Sequence, residues 1–218
     1  KMTRQEVTVA LNGDGGDEAF AGYRRYAANK IASLFNRIPL SMRKKFAASF
    51  MSRFAESTRR NDLARNIKKF VRGIVRSPID RYANWMSIFD NELKNKLYSQ
   101  TLKKRLEDTD SLDYLRNVYK KSGIDDFIDA TLFVDTMTYL PGDLLVKVDI
   151  ASMANSLEAR SPFLDHKLLE LCASIPSSLK LRGITTKYIL KKTFKNILPE
   201  EILNRKKSGF GVPVGSWF

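Results

Sequence analysis

Six consecutive positions, Gly13 to Glu18, hold three glycines (Gly13, Gly15, Gly16) and three carboxylates (Asp14, Asp17, Glu18). Glycine lets a backbone adopt positive φ and approach a ligand closely. A glycine-rich turn built only to bind phosphate would avoid carboxylates, because anions repel anions unless a cation stands between them. A divalent metal resolves the conflict, since Mg²⁺ takes hard oxygen ligands and is held by one or two carboxylates together with phosphate oxygens. An acidic surface turn is the competing explanation. A calcium loop fits less well: the closing glutamate is missing, and Phe20 and Tyr23 belong to an apolar helical face.

Cations that could meet an anion here lie far along the chain. Thr185 or Thr186 is expected to cap a helix over 187–196, which puts Lys187 in the first turn, where the helix dipole disfavours a cation. A lysine there makes sense if an anion is held at the same helix end; a solvated lysine is the alternative. Lys206 and Lys207 stand beside Gly209 and Gly211, a second pairing of cations with flexible backbone that a basic tail would share. Lys147 and Asp149 fall off the apolar stripe Val146, Ile150, Met153 and Leu157 of a helix that Asp143 would cap after Pro141 and Gly142. Aspartate is a poor helix-interior residue, so Asp149 has either a solvated face or a task. Glu158 and Arg160 precede Ser161 and Pro162, where proline forces Ser161 into an extended conformation and ends that helix.

The elements that must position these residues begin with a strand at Val7, Val9 and Leu11, ended by Gly13. A helix over 17–29 follows, with Phe20, Tyr23 and Tyr26 on neighbouring turns and its N-terminal N–H groups beside the glycine loop. Ser41 caps a basic helix whose stripe Met42, Phe46, Phe50 and Phe54 is expected to face the core. Further helices are predicted over 57–75, 77–88 (opened by Pro78), 91–97, 111–121, 125–139 and 165–173, with Pro176 closing the last. No internal repeat, low-complexity tract or linker divides the chain.

The 218 residues, 43% of them hydrophobic, suffice for a core. The single cysteine, Cys172, rules out an internal disulfide, sits in an apolar helical context, and points to a reducing cytoplasm. The lone histidine, His166, gives zinc chemistry no support. No apolar run reaches membrane-span length and no signal-peptide pattern opens the chain. The net charge of +14 is concentrated between Ser41 and Arg76, where eleven Lys or Arg face only Glu56 and Asp62. Such a segment could hold nucleic acid. Its amphipathic spacing and the lack of a nucleic-acid module favour a solvated basic face instead.

The run 12–23, NGDGGDEAFAGY, resembles the SGDGGDELFGGY segment of glutamine-hydrolysing asparagine synthetases, in their C-terminal ATP-pyrophosphatase domain. It departs at Asn12, Ala19 and Ala21, none of which removes a carboxylate. The resemblance resumes at 139–149 (YLPGDLLVKVD), 156–166 (SLEARSPFLDH), 187–192 (KYILKK) and 205–213 (RKKSGFGVP). It implies an α/β fold of the adenine nucleotide alpha hydrolase-like, PP-loop ATPase type, with this segment mostly helical around one or few parallel strands. It also implies Asp17 as Mg²⁺ ligand, Asp14 as candidate base and Lys187 as the pyrophosphate contact. Gly13, Gly15, Gly16, Lys147, Asp149, Glu158, Arg160, Lys206 and Lys207 would line the ATP and pyrophosphate site, with Asp165 fixing its turn. The family carries glutamate in some members where Asp14 stands, so the shorter side chain leaves the base assignment open.

The family's SGGxDS loop and its amino-terminal glutaminase are not found in the sequence, so residues 1–218 are expected to be part of a synthetase domain, inactive alone. The expected reaction uses ATP and Mg²⁺ to convert aspartate to asparagine through an aspartyl-adenylate, with ammonia from a glutaminase domain. A homodimer is left open. Related adenylating enzymes acting on other carboxylates, including β-lactam synthetases, are the first alternative. A non-catalytic basic helical module binding nucleic acid or protein is the second.

Overall fold

The computed structural model describes residues 1–53 and 62–205 and is mostly helical. In chain order, α1 (Met2–Glu6) precedes strand β1 (Val9–Leu11), and α2 (Gly16–Ala19) and α3 (Arg24–Phe35) follow the glycine loop. A helical body comprises α4 (Leu40–Arg53), α5 (Asp62–Gly73), α6 (Pro78–Met86), α7 (Asn91–Leu97), α8 (Gln100–Arg105), α9 (Asp113–Ser122) and α10 (Phe127–Met137). A π-helical turn (Leu140–Leu145) then leads into α11 (Val146–Met153), strand β2 (Glu158–Arg160) and a 3-10 turn (Pro162–Leu164). Four helices follow among the described residues: α12 (His166–Ser174), α13 (Ser177–Lys180), α14 (Tyr188–Thr193) and α15 (Glu200–Asn204). No helix among the described residues is long and apolar enough to cross a membrane.

The α/β expectation holds in its coarse form, a mostly helical chain with one small parallel sheet. β1 and β2 pair in parallel, Val9 opposite Glu158, Ala10 opposite Ala159 and Leu11 opposite Arg160, so the connection between them runs through the whole helical body. That pairing delivers the glycine loop after β1 and the turn after β2 to the same end of the sheet.

Helix starts follow side-chain capping where the sequence supplies it. Ser77 accepts from Asp80 N–H ahead of Pro78, Asp126 from Asp129 N–H, and Asp165 from Leu168 N–H. Two buried clusters hold the body together. The larger joins Ala21, Tyr26, Tyr82, Ile128, Leu132, Val134 and Leu181; the smaller joins Ala19, Phe20 and Cys172 against Phe163, Leu168, Leu169, Ile189 and Leu190.

Several expectations need correction. The helix expected over 17–29 is two helices, because Ala21 takes φ 54° and the Gly22 N–H turns back to the Asp17 carbonyl. Glu158 and Arg160 lie in β2, not at a helix end, although Ser161 is extended as the following proline requires. Asp143 sits inside the π-helical turn and caps nothing. Lys187, not Thr185 or Thr186, is the N-cap of α14, at φ 52°; Thr185 is spent in a bridge with Arg182. The first half of the expected core stripe of α4 is exposed, Met42 at 59% and Phe46 at 51%, while Phe50 is half-buried and Ala47 is the buried residue of the helix. Val146, Ile150 and Met153 of α11 are likewise exposed. Phe54 lies outside the described residues, and α8, which lacks an apolar period, was not expected.

Candidate active site

The site is assembled where β1 ends. Asn12 N–H still bonds to the Arg160 carbonyl (2.9 Å), extending the strand pairing by one residue. The chain then turns: Gly16 N–H donates to the Gly13 carbonyl (3.3 Å), and the Asn12 side-chain oxygen accepts from Asp14 N–H (3.3 Å). Gly15 takes φ 83°, and a Cβ there would lie 2.2 Å from the Leu164 side chain, while one on Gly16 would press on the Phe163 ring at 3.2 Å. Both glycines are therefore set by contact with the turn after β2. The Ser161 hydroxyl fastens the two loops by donating to the Asp14 carbonyl at 2.6 Å. Gly13 has open space where a side chain would project.

Two carboxylates of this loop carry the chemistry open to it. Asp14 is half-buried, and its Oδ2 is a buried acceptor without a hydrogen-bond partner. The Asp17 carboxylate meets Lys187, with Oδ1 2.7 Å from Nζ. Lys187 is delivered by the start of α14, where its own N–H donates to the Phe20 carbonyl at 3.1 Å. Burial pulls the Lys187 ammonium below the usual lysine value, and the nearby Glu18 carboxylate pulls the other way. Gly22 makes the pair possible: a Cβ on it would fall 1.9 Å from Asp17 Oδ1 and 2.4 Å from Lys187 Cε.

Three neighbouring residues, Glu18, Arg25 and Gly22, had no expected role in the site, although Glu18 and Gly22 lie in the run 12–23 that carries the resemblance. Glu18 is 2% exposed, accepts from the Tyr23 hydroxyl at 2.6 Å, and has its pKa raised chiefly by burial, against the lowering effect of that bond. Arg25 lies over the Tyr23 ring, 3.8 Å from its centroid.

The other expected site residues are distributed unevenly. Glu158 and Arg160 lie beside the loop but pair with each other on the exposed face of β2, at 2.7 Å. Lys147 and Asp149 are exposed on α11, a helix packed on β2. Lys206 and Lys207 lie outside the described residues. Asp165 caps α12 directly after the turn that carries Phe163 and Leu164.

Among the described residues no three His, Cys, Asp or Glu converge to make a metal site. Mg²⁺ does not need three, since one or two carboxylates suffice when phosphate supplies the remaining oxygens. The hard carboxylate oxygens of Asp17 suit that ion.

A strand-tip glycine loop bearing carboxylates, faced by a lysine from a distant helix, is an arrangement suited to a metal-bridged phosphate. Over residues 1–218 the chain matches the family model described as asparagine synthase, and it belongs to that family. It is similar to glutamine-hydrolysing asparagine synthetase 1 of Bacillus subtilis, with 37% identity over 221 residues, all of this chain and 32% of the relative. A putative glutamine-hydrolysing asparagine synthetase of Mycobacterium tuberculosis is 32% identical over 217 residues, all of this chain and 31% of the relative. Amidase chyE of Penicillium rubens is 24% identical over 237 residues, 98% of this chain and 33% of the relative. The chain thus spans about a third of the length of the relatives it matches. No solved structure matches it.

Proposed function

We propose that this segment supplies part of the adenylating centre of an ATP-dependent ligase. In the intact protein, an aspartate carboxylate oxygen attacks the α-phosphorus of ATP, and pyrophosphate leaves. Ammonia, released from glutamine by a separate glutaminase domain, then attacks the acyl carbon; AMP departs with the bonding electrons and asparagine is formed. Support comes first from the Asp17–Lys187 pair at 2.7 Å on the loop that also carries Asp14.

Each residue has a definable task. Mg²⁺, when bound, supplies positive charge against the phosphates, and Asp17 would hold it. Lys187 offers its ammonium to the departing pyrophosphate, stabilising charge that grows as the bond breaks. The unpartnered Oδ2 of Asp14 is available to accept a proton from the ammonium-like adduct. Gly15 and Gly16 let the backbone of the loop lie flat on its supporting turn, leaving the side over Gly13 open.

The test is pyrophosphate release by the full-length protein given ATP, Mg²⁺, ammonium and aspartate. The reading expects release that depends on aspartate and falls by at least about 100-fold in Asp17→Ala. No release with any carboxylate contradicts it. A second reading, the same chemistry on a different carboxylate, is favoured by the similarity to a protein named an amidase, and release with another acceptor but not aspartate would select it.

A further inference from the structure

Asp14 needs fine placement if it is to take a proton from the ammonia adduct, because proton transfer demands hydrogen-bond reach. Its Oδ2 is buried without a hydrogen-bond partner, so nothing at that oxygen holds the carboxylate in place. Asp14 also stands between Gly13 and Gly15, the residue type that restrains a backbone least. Its position depends on what grips its own two peptide groups.

Both groups are gripped by side chains. The Asp14 N–H donates to Asn12 Oδ1 at 3.3 Å, and the Asp14 carbonyl accepts from the Ser161 hydroxyl at 2.6 Å. The first bond is long for its type and the second short, so Ser161 has the firmer hold. Both holds trace back to the end of β2. Asn12 is tied through its own N–H to the Arg160 carbonyl at 2.9 Å, and Ser161 is the next residue along. Ser161 itself has little freedom, being extended ahead of Pro162 at φ −114°.

We propose that Ser161 is a positioning residue: by holding the Asp14 carbonyl it aims the Asp14 carboxylate, with Asn12 as the weaker second hold. That role rests on the adenylation reading, which makes Asp14 the group that accepts the proton in the ammonia step. Asp17 is anchored separately, by its ion pair with Lys187 and by the Gly22 N–H, which donates to its carbonyl at 2.8 Å. Loss of the Ser161 hydroxyl therefore acts on the ammonia step and spares adenylation, which uses Asp17 and Lys187.

The experiment uses the full-length protein with Ser161→Ala, Ser161→Thr and Asn12→Ala. Two rates are read: aspartate-dependent exchange of pyrophosphate into ATP, which reports adenylation, and asparagine formation from ammonium, which needs both steps. Ser161→Ala should lower asparagine formation about 10-fold, the loss of one firm hydrogen bond. Exchange should stay within about twofold of wild type. Ser161→Thr, which restores the hydroxyl on a residue suited to extended backbone, should recover most of the loss. Asn12→Ala, acting from the other side of Asp14, should give the same split at about threefold. In the crystal structure of Ser161→Ala, the Asp14 carboxylate should be displaced and the Asp17–Lys187 pair unmoved. An equal fall in both rates marks a merely structural role and overturns the proposal, as does an Asp14 carboxylate that keeps its place without the hydroxyl. If the wild-type protein forms no amide, the adenylation reading alone fails, and the Ser161→Ala structure still decides whether Ser161 places Asp14.

Discussion

Lys187 Nζ lies 2.7 Å from Asp17 Oδ1, although the two residues come from opposite ends of the described chain. The contact exists because Gly22 has no side chain, and it is fixed on one side by the backbone bond from Lys187 N–H to the Phe20 carbonyl. The consequences of that geometry can be measured.

Gly22→Ala should separate the pair without unfolding the protein. The three atoms nearest the added Cβ belong to side chains, Asp17 Oδ1 at 1.9 Å, Lys187 Cε at 2.4 Å and Asp17 Cγ at 2.8 Å, which can rotate away. A rotamer shift of that kind costs about 1 kcal/mol. Urea denaturation should register that modest loss, while pyrophosphate release by the full-length variant falls as far as in Asp17→Ala.

Ala21 holds φ 54° and is fully buried. The left-handed conformation costs a residue with a Cβ about 1–2 kcal/mol, and burying its methyl group returns about 0.8 kcal/mol. Ala21→Gly should therefore change stability by less than about 1 kcal/mol, the two effects opposing each other. Ala21→Val, β-branched at the same φ in a filled core, should cost several times more, by about 3 kcal/mol. Chemical denaturation of the three proteins checks the order.

The acid limb of stability should depend on Arg116, which contacts Asp80, Asp110 and Asp113 at 2.7 Å each. Burial alone would lift the Asp80 carboxyl, but the Ser77 hydroxyl and Arg116 outweigh it and hold it below 3.8. Asp110 is held below 3.8 in the same way by the Leu112 N–H and Arg116. Folded pKa values below the unfolded ones mean that the unfolded chain binds more protons. The stabilisation is therefore present above pH 3.8 and is lost as pH falls through the folded values. These groups are partly exposed, so their joint contribution is about 1 kcal/mol. The stability gap between wild type and Arg116→Met should be open at pH 6 and close progressively below pH 3.8.

Cys172 should resist alkylation in the native state. Its side chain lies in the cluster with Ala19 and Phe20, and burial pushes the thiol above its usual pKa, only partly offset by Lys180. Iodoacetamide labelling at pH 8 should require unfolding, so labelling rate and urea-induced unfolding should share one transition.

What could be read from the sequence was what local chemistry dictates. Ser77 with Pro78 and Asp165 each announce a helix start in their own neighbourhood, and Pro162 makes Ser161 extended. The strand before Gly13 and the helix over 91–97 follow from local pattern. The break at Ala21 was not legible, because it is imposed by the return of Gly22 N–H to Asp17 and by the arrival of Lys187 from a remote helix. Nor was β2 legible: Glu158 and Arg160 carry no strand pattern and are extended because β1 supplies their partners. Met42 and Phe46 had the right period for burial, yet both are exposed and the smaller Ala47 is the buried residue of α4. Within the candidate site, residue types suggested phosphate and metal chemistry at Asp14 and Asp17. The grip of Arg25 on Tyr23, and of Tyr23 on Glu18, depends on three helices meeting and left no trace in spacing.

The central claim is that Asp17 and Lys187 serve one metal-bridged phosphate site. A crystal structure of the full-length protein with Mn²⁺ in place of Mg²⁺, together with pyrophosphate, tests it most directly through the anomalous signal of the metal. The account predicts a Mn²⁺ peak on the Asp17 carboxylate, with the Lys187 ammonium moved from Asp17 onto a pyrophosphate oxygen. A metal and pyrophosphate bound elsewhere, with the Asp17–Lys187 pair still at 2.7 Å, would contradict it.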